Sequence, residues 1–359
     1  MRILVATDAW RPQVNGVVRS LETLARSLNS RGVEVEFLTP QDFRSFPLPG
    51  YREISLALAW PGEVRRRLGN NYDHIHIATE GPIGQVVRAI CLRENICFTT
   101  SFHTLFPEYI EARCGLPPAI AYAALRRFHN AGAGTMVSTP GLARHLDERG
   151  FRRLLRWSRG VDHTLFSPTK AASIGLPRPI FLYAGRVSIE KNLEAFLRLD
   201  LPGSKVIVGD GPAASGLKTR FPDAHFLGLK TGAELAPIYA AADVFVFPSR
   251  TDTFGMVLLE ALACGLPVAA FPVMGPLDVI GASGAGALDE DLRVAALAAL
   301  DISRDCARAR ALTFNWDDCA AQFLDNVAYA HGAITLGAVG VDPWLKPLEL
   351  SGRHRSAPT

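Results

Sequence analysis

The chain has 359 residues, of which 48% are hydrophobic and 20% charged, with 31 glycines and 24 prolines. This composition excludes a disordered or fibrous protein, and the length allows two domains with separate cores. The net charge is +3 and is unevenly distributed. Residues 1–160 contain 21 Arg and 14 acidic residues (+7), whereas residues 161–359 contain 17 basic and 21 acidic residues (−4). A basic first half fits a phosphorylated ligand, nucleic acid, an anionic membrane or simply a basic surface.

The beginning of the chain and the cysteines indicate a reducing compartment. The first residues, MRILVATDAW, contain an apolar run that is too short for a signal peptide. No run of 18 apolar residues predicts a membrane-spanning helix. The six cysteines form no CxxC pair and no Cys/His cluster with zinc spacing, so we expect free thiols in a cytoplasmic protein.

Short apolar strands alternate with helical patterns along the whole chain. The strand-like runs of the first half are 2–8, 33–39, 74–79, 96–102 and 134–139, and those of the second half are 179–186, 204–211, 224–228, 243–249 and 267–273. The alternation occurs twice. It predicts an α/β fold with two Rossmann-like, doubly wound domains that face each other across a cleft.

A segment rich in Pro, Ser, Thr and Gly at 162–178 marks the domain boundary. We therefore expect an N-terminal domain over 1–165 and a C-terminal domain over 166–315. The helical pattern at 316–335 follows the second domain and is free to pack back on the first. The tail 339–359 has no periodicity and is expected to be extended or disordered.

Candidate site residues follow the strands, where parallel sheets bind their ligands. In the first half, Asn15 and Gly16 precede an amphipathic helix and permit close approach of a phosphate or sugar, although a plain turn explains them too. His103 follows a strand in SFHT and suits a hydrogen-bonding or acid–base role, or a structural one. The missing GxGxxG disfavours a dehydrogenase.

In the second half, Arg186 ends a strand and Lys191 opens the next helical pattern, a placement that suits a diphosphate. The GDGP loop, which contains Gly211, is a tight strand-to-helix connection. Thr231 and Glu234 form a capping-box pattern. The DxD of Asp289 and Asp291 begins a helix, so N-capping is favoured over metal binding.

The stretch SRTDTFGMVLLEALACGLPV, from 249, places two carboxylates around the start of an apolar helix. Asp252 lies on the loop before the helix, where it can reach the hydroxyls of a neutral ligand or cap the helix. Glu260 lies two turns in, where it can accept hydrogen bonds from a diol or point to solvent. The free helix-start amides form an anion site at Phe254, Gly255, Met256 and Val257.

These motifs, in this order, resemble the retaining glycosyltransferases of family 4, which have the GT-B fold of two Rossmann domains. The resemblance covers about 1–335 and rests on NG, SFHT, WSRGVD, AGRVSIEKN, GDGP and the stretch from 249. The family's most specific motif, Glu-x7-Glu, is present here as Asp252-x7-Glu260. IHIATEGPIG, TTSFHTLFPEY and FPSRTDTFG are similar to bacterial GDP-mannose-dependent α-mannosyltransferases and to diacylglycerol glycosyltransferases.

The resemblance implies a role for each candidate residue, with the acceptor on the first domain and the nucleotide sugar on the second. The implied catalytic residues are His103, Arg186, Lys191 and Asp252. The implied donor-binding residues are Gly16, Arg186, Lys191, Gly211, Leu229, Lys230, Asp252, Phe254, Gly255, Met256, Val257 and Glu260. The implied acceptor-side residues are Asn15, Glu80, Tyr109, Arg126 and Arg127. No metal and no cofactor is implied, because the donor is a nucleoside-diphosphate sugar.

The implied reaction transfers a hexose with retained configuration to a membrane lipid, such as diacylglycerol, or to a lipid-linked glycan. Arg186 and Lys191 would neutralise the diphosphate, Glu260 would hold the ribose and Asp252 would contact the sugar. The shorter Asp252 leaves the sugar open between UDP-glucose or UDP-glucuronate and GDP-mannose. Peripheral contact with an anionic membrane on the cytoplasmic face is expected, and no nucleic acid. A nucleotide-sugar epimerase and a two-lobed sugar-nucleotide-binding protein are the alternatives.

Overall fold

A computed structural model describes residues 1–332 with the exception of 14, 49–50, 70, 109–110, 112–114 and 116. The tail 339–359, the last residues of the predicted 316–335 helix and the candidate Tyr109 lie outside the described residues. Within the described part of the chain, no helix combines the length and hydropathy that crossing a membrane requires.

The first half of the chain folds around a parallel sheet of six strands. The strands of this half are β1 (Arg2–Ala6), β2 (Glu34–Leu38), β3 (Ser45–Leu48), β4 (Tyr51–Ala57), β5 (His74–Ile77), β6 (Phe98–Ser101), β7 (Gly134–Val137) and β8 (Leu154–Arg156), and the helices are α1 (Gly16–Asn29), α2 (Pro61–Leu68), α3 (Pro82–Glu94), α4 (Pro118–His129) and α5 (Pro140–Asp147). The sheet order is β2-β1-β5-β6-β7-β8, while β3 and β4 pair separately as an antiparallel hairpin.

The second half repeats this plan. Its strands are β9 (Ile180–Ala184), β10 (Ser204–Val208), β11 (His225–Phe226), β12 (Val244–Phe247), β13 (Val268–Ala270) and β14 (Gly286–Leu288), and its helices are α6 (Leu193–Leu197), α7 (Ala214–Arg220), α8 (Ala236–Ala241), α9 (Met256–Ala263), α10 (Met274–Val279), α11 (Leu292–Ala298) and α12 (Arg304–Leu312). The order β11-β10-β9-β12-β13-β14 is again wholly parallel. The prediction of an α/β fold with two doubly wound sheets is confirmed.

Helix α13 (Trp316–Ala330) returns from the second domain to the first, where it packs against α1 and strands β6 to β8. Asn315 begins the helix, because its side chain accepts a hydrogen bond from the amide of Asp318 at 2.7 Å. Phe323 packs its ring edge-to-face on the buried Trp157, with centroids 5.5 Å apart. The last described helix therefore completes the core of the first domain.

Both sheets are buried on two faces, which explains their continuous apolar strands. Every residue of β9 and β12 is buried, and complete burial of each such side chain contributes about 1.5–3 kcal/mol. Strand β6 departs from this rule, because its buried residues include Thr99, Thr100 and Ser101. Buried hydroxyls need hydrogen-bond partners, and those of β6 are bonded to histidines.

The two domains contact each other beyond the carboxyl ends of their strands. The Oγ1 of Thr253 donates to the carbonyl of His103 over 2.7 Å. The amide of Gly141, at the start of α5, donates to Oδ2 of Asp278 in α10 over 2.9 Å. These two contacts join the domains where the carboxyl ends of the two sheets face each other.

Candidate active site

The donor-side candidates converge where strands β9 and β12 end. Arg186 follows β9, and its carbonyl accepts a hydrogen bond from the hydroxyl of Tyr183 at 2.8 Å. Lys191 closes a short 3₁₀ turn, and its Nζ lies 2.6 Å from Oδ1 of Asp252 on the loop after β12. The two side chains are 21% and 17% exposed, so this ion pair lies at the rim of the cleft.

Near Asp252 in the sequence and on the neighbouring loop, four buried polar side-chain atoms have no hydrogen-bond partner among the residues that the structure describes. They belong to the loops after β9 and β12 and are the hydroxyls of Ser188, Ser249 and Thr251 and Oδ2 of Asp252. A buried polar atom without a partner costs about 1–3 kcal/mol. Because β9 and β12 are adjacent parallel strands, both loops lie at the same end of the sheet, where a polar ligand can supply the missing hydrogen bonds.

Helix α9 presents its N-terminus to the same place. Gly255 begins the helix with a left-handed φ of 84°, and no side chain caps the first amides. A side chain at this position is disfavoured, because its Cβ would lie 2.9 Å from Cδ1 of Leu258. Across the domain boundary, Gly16 is so close that a Cβ there would lie 3.4 Å from Cγ of Met256. Gly16 of the first domain thus lies against the Met256 side chain at the start of α9.

Glu260 is buried, which excludes the interpretation that it points to solvent. Its carboxylate accepts from Nη1 of Arg19 at 2.9 Å and from the hydroxyl of Tyr239 at 3.2 Å. Burial raises the pKa of Glu260, while Arg19 and the Tyr239 hydroxyl oppose this shift. Arg19 belongs to α1 of the first domain, so this ion pair joins the two domains beside the α9 N-terminus.

His103 lies at the end of β6 and is held from both sides. Its Nδ1 is 3.1 Å from Nη2 of Arg159, and its Nε2 is 2.8 Å from Oγ of Ser101. Burial first, and then the Arg159 charge, lower the pKa of His103 well below its ordinary value, so the ring is neutral. Because a guanidinium only donates, we infer that Nδ1 of His103 accepts and that its Nε2 carries the hydrogen.

A line of hydrogen bonds continues from His103 through the first sheet. Ser101 Oγ is 3.1 Å from Nε2 of His76, and Thr99 Oγ1 is 2.9 Å from both Nδ1 of His76 and Nε2 of His74. Oγ of Ser101 can also donate to the carbonyl of Ala78, which lies 3.4 Å away. The Arg159 contact therefore fixes the ring hydrogen of His103 but not the direction of the hydrogen bonds beyond Ser101. The line ends at the amino-terminal end of β5, where Nδ1 of His74 lies 3.0 Å from Nε2 of His331.

The acceptor-side candidates are scattered over the first domain. Asn15 is an N-cap: its Oδ1 accepts from the amides of Val17 and Val18. Glu80 makes a buried contact of 3.0 Å with Nε2 of His129. Arg126 and Arg127 are exposed on α4, and Nη1 of Arg126 donates to the carbonyl of Arg149 in the same domain over 3.0 Å.

The remaining candidates lie on the second domain. Leu229 is exposed and Lys230 is half-buried, with its Nζ 3.4 Å from Oε1 of Glu234. At Gly211 a Cβ would lie 2.4 Å from the Val187 carbonyl, so the loop requires glycine there. The capping box predicted at Thr231 is wrong, because its hydroxyl makes no capping hydrogen bond to the 3₁₀ turn Gly232–Glu234, which leads into α8.

The DxD pair has the structural role that the sequence favoured. The side chain of Asp291 caps α11 by accepting from the amide of Arg293 at 2.9 Å. Asp289 accepts from the amide of Asp291 at 2.8 Å. Both carboxylates therefore accept hydrogen bonds from backbone amides at the start of α11.

Sequence reasoning missed several residues that complete the site, namely Arg19, Arg159, Tyr239, Thr253 and Asp278. Arg19 had a usable signal, because it follows Gly16 by three positions and so lies on the same face of α1. Arg159 and Tyr239 had none, since a buried arginine in a loop and a tyrosine in an apolar helix have no periodicity that marks them. Their roles arise from contacts across the fold.

Two parallel α/β domains that enclose a cleft, with a bare helix N-terminus and an ion pair at its rim, define the GT-B class of glycosyltransferases. Residues 14–165 match the family described as Glycosyltransferase Family 4, and residues 178–303 match Glycosyl transferases group 1. The chain belongs to these glycosyltransferase families, and it is an enzyme of that kind.

Among curated relatives, the chain is 31% identical over 300 residues to the sulfoquinovosyl transferase of Arabidopsis thaliana, covering 74% of this chain and 58% of that protein. It is 29% identical over 308 residues to a GDP-mannose-dependent alpha-mannosyltransferase of Mycobacterium tuberculosis, covering 78% and 81%. It is 25% identical over 316 residues to the alpha-monoglucosyldiacylglycerol synthase of Acholeplasma laidlawii, covering 75% and 79%. The chain thus spans less than two thirds of the plant relative and most of the bacterial ones.

Among solved structures, the sucrose-phosphate synthase of Thermosynechococcus elongatus superimposes with a TM-score of 0.76 at 22% identity, over 93% of this chain and all of that one. At this identity the likeness establishes the fold alone.

Proposed function

We propose that the protein transfers a hexose from a nucleoside-diphosphate sugar to a hydroxyl group of a membrane lipid or lipid-linked glycan, with retained configuration. The observation that carries this proposal is the group of four unpartnered polar atoms at Ser188, Ser249, Thr251 and Asp252, beside the Lys191 ammonium. Hydroxyls next to a cation and a helix N-terminus suit a ligand that is both a sugar and an anion.

The donor would lie with its diphosphate against Arg186, Lys191 and the first amides of α9. Asp252 keeps one carboxylate oxygen for the sugar hydroxyls, because Lys191 contacts only the other. The ribose diol would reach Glu260 in place of Arg19. His103, whose ring is fixed by Arg159 and Ser101, would lie against the transferred sugar.

In the reaction, the bond between the anomeric carbon and the leaving phosphate oxygen breaks as the bond to the acceptor oxygen forms on the same face. The acceptor proton passes to the departing phosphate oxygen. Arg186, Lys191 and the α9 N-terminus would stabilise the negative charge that develops on the diphosphate. We propose that no metal is required for this step, so transfer should continue in the presence of EDTA.

The choice of donor and acceptor is supported by the named relatives. One is described as GDP-mannose-dependent, and another as a monoglucosyldiacylglycerol synthase. Helix α4 adds a physical argument for a lipid surface, because it exposes Ile120 (58% exposed) together with Arg126 and Arg127. An exposed apolar side chain beside two cations suits an anionic membrane. We propose that the protein acts there as a peripheral enzyme on the cytoplasmic face.

The donor can be identified by thermal unfolding with UDP, GDP and their glucose, glucuronate and mannose derivatives, since a bound ligand stabilises the fold by mass action. The nucleotide sugar that stabilises most should also give labelled glycolipid in diacylglycerol-containing vesicles. Ser249→Ala removes one of the unpartnered hydroxyls and should weaken donor binding. Ser215→Ala, on a solvent-facing position of α7, is the matched control.

Two results would overturn the proposal. The first is conversion of the donor to another sugar nucleotide when no acceptor is present, which would indicate an epimerase. The second is tight donor binding without any transfer or hydrolysis under all acceptor conditions, which would indicate a binding protein.

A further inference from the structure

Three potential metal ligands meet at the amino-terminal ends of strands β5 and β6, which lie opposite the candidate active site. His74 is the first residue of β5, Cys97 immediately precedes β6, and His331 follows the end of α13. Nδ1 of His74, Sγ of Cys97 and Nε2 of His331 all lie within 4.8 Å of one another. The two ring nitrogens are 3.0 Å apart.

This spacing is close to that of a zinc centre. With Zn–N of about 2.0–2.1 Å and Zn–S of about 2.3 Å in a tetrahedral arrangement, two ring nitrogens lie roughly 3.3 Å apart and a nitrogen and a sulfur roughly 3.6 Å apart. The histidine pair already has nearly this separation. Sγ of Cys97 donates to the carbonyl of Ala330 over 3.3 Å and has to leave that contact to complete the triangle. Two imidazoles with one thiolate select Zn²⁺ or Co²⁺ over Mg²⁺ or Ca²⁺.

We propose that His74, Cys97 and His331 form a binding site for Zn²⁺, with a water molecule as the fourth ligand. The surroundings favour such a site. His74 is 1% exposed, and its second ring nitrogen is hydrogen-bonded to Thr99 at 2.9 Å, which is the supporting contact that metal-bound histidines commonly have. His331 is exposed and Cys97 is half-buried, so the ion has a path of entry from solvent.

Zinc at this site would fix the ring hydrogen of His74. A metal on Nδ1 requires the hydrogen on Nε2, so His74 then donates to Oγ1 of Thr99.

The experiment uses Co²⁺ as a spectroscopic substitute for Zn²⁺ on the full chain and needs no nucleotide sugar, so its outcome is independent of the proposed function. We expect one equivalent of Co²⁺ to give a thiolate-to-cobalt charge-transfer band, which Zn²⁺ then abolishes by displacement. Cys97→Ala should eliminate the band. His331→Ala, at an exposed position that cannot disturb the core, should weaken binding by at least about tenfold. Cys306→Ser, which changes an exposed thiol of α12, is the control and should bind as the wild type does.

Histidine ring ¹H–¹⁵N spectra provide a second readout, in which zinc-bound His74 should carry its ring hydrogen on Nε2. The proposal is wrong if the wild type shows no thiolate band at stoichiometric Co²⁺, if Cys97→Ala binds with unchanged affinity, or if only Cys306→Ser loses the band.

Discussion

Replacement of Arg19 by leucine tests the ion pair that joins the two domains. Leucine keeps apolar bulk near the helix but removes the guanidinium from Glu260. The Glu260 side chain is 6% exposed. In the variant, its carboxylate keeps the hydrogen bond from the Tyr239 hydroxyl, which lies 3.2 Å away. The variant thus leaves a buried carboxylate without its counter-charge.

The size of the effect follows from this burial. Removal of one partner from a fully buried pair costs about 3–5 kcal/mol, whereas exposed pairs contribute about 0–1 kcal/mol. The Arg19 side chain is 35% exposed, so solvent screens it in part. We therefore expect the free energy of unfolding to fall by about 1–3 kcal/mol at neutral pH.

The loss should depend on pH in a defined direction. Burial already raises the pKa of Glu260, and Arg19 is the first of the groups that oppose this shift, so its removal raises the pKa further. A carboxyl with a raised pKa in the folded state favours folding when it is protonated, and this contribution disappears as the pH rises through the folded-state pKa. The deficit of Arg19→Leu should therefore be small near the ordinary value of 4.5 and reach its full size at higher pH.

Urea unfolding at pH 5 and pH 8 measures both the size and the sign. Arg198→Leu is the matched control, because it breaks the pair with Glu194, in which the arginine is 67% exposed. The control should lose less than about 1 kcal/mol at either pH. Equal losses in the two variants, or a deficit of Arg19→Leu that shrinks from pH 5 to pH 8, would refute the assignment of a buried, paired Glu260.

Three further predictions concern the cleft and the surface. If the ribose displaces Arg19 from Glu260, a saturating nucleoside diphosphate should raise the melting temperature of Arg19→Leu more than that of the wild type, each against its own ligand-free value. Lys191→Ala should lower kcat by at least about a hundredfold through lost charge stabilisation, with unchanged circular dichroism, and near-wild-type turnover would remove Lys191 from the mechanism. Replacement of Arg126 and Arg127 by glutamate should reduce sedimentation with anionic vesicles but not thermal stability; indifference to lipid charge in both proteins would exclude α4 as the membrane contact.

Much of the fold could be predicted from the sequence because its determinants are local. Strands buried on both faces appear as short apolar runs, and the alternation with helical patterns implies parallel pairing. The convergence of the donor-side candidates could also be predicted, since residues that follow parallel strands meet beyond the carboxyl ends of those strands. The structure accordingly places Lys191 and Asp252 together, although 61 positions separate them.

The pairings inside the site could not be predicted, because they depend on how separate elements dock. Arg19 and Glu260 are 241 positions apart and belong to different domains. The same limit applies to Cys97 and His331. They show no zinc spacing in the sequence, because they come together only when α13 packs on the first domain. Thr99 and Ser101 looked like ordinary strand residues, since β-branched and small polar side chains are common in strands.

The contacts between the domains imply that donor binding competes with the ligand-free arrangement. Glu260 is occupied by Arg19, and one oxygen of Asp252 by Lys191, while the hydroxyls next to them have no partner. A nucleotide sugar that satisfies the free hydroxyls gains those hydrogen bonds, but it must also displace or share the existing ion pairs. Only a ligand that contacts both the ribose position and the sugar position recovers the full cost of this rearrangement. A free sugar or a free nucleotide recovers only part of it, so we expect selectivity for the intact donor to arise from the interdomain ion pair as much as from the sugar pocket.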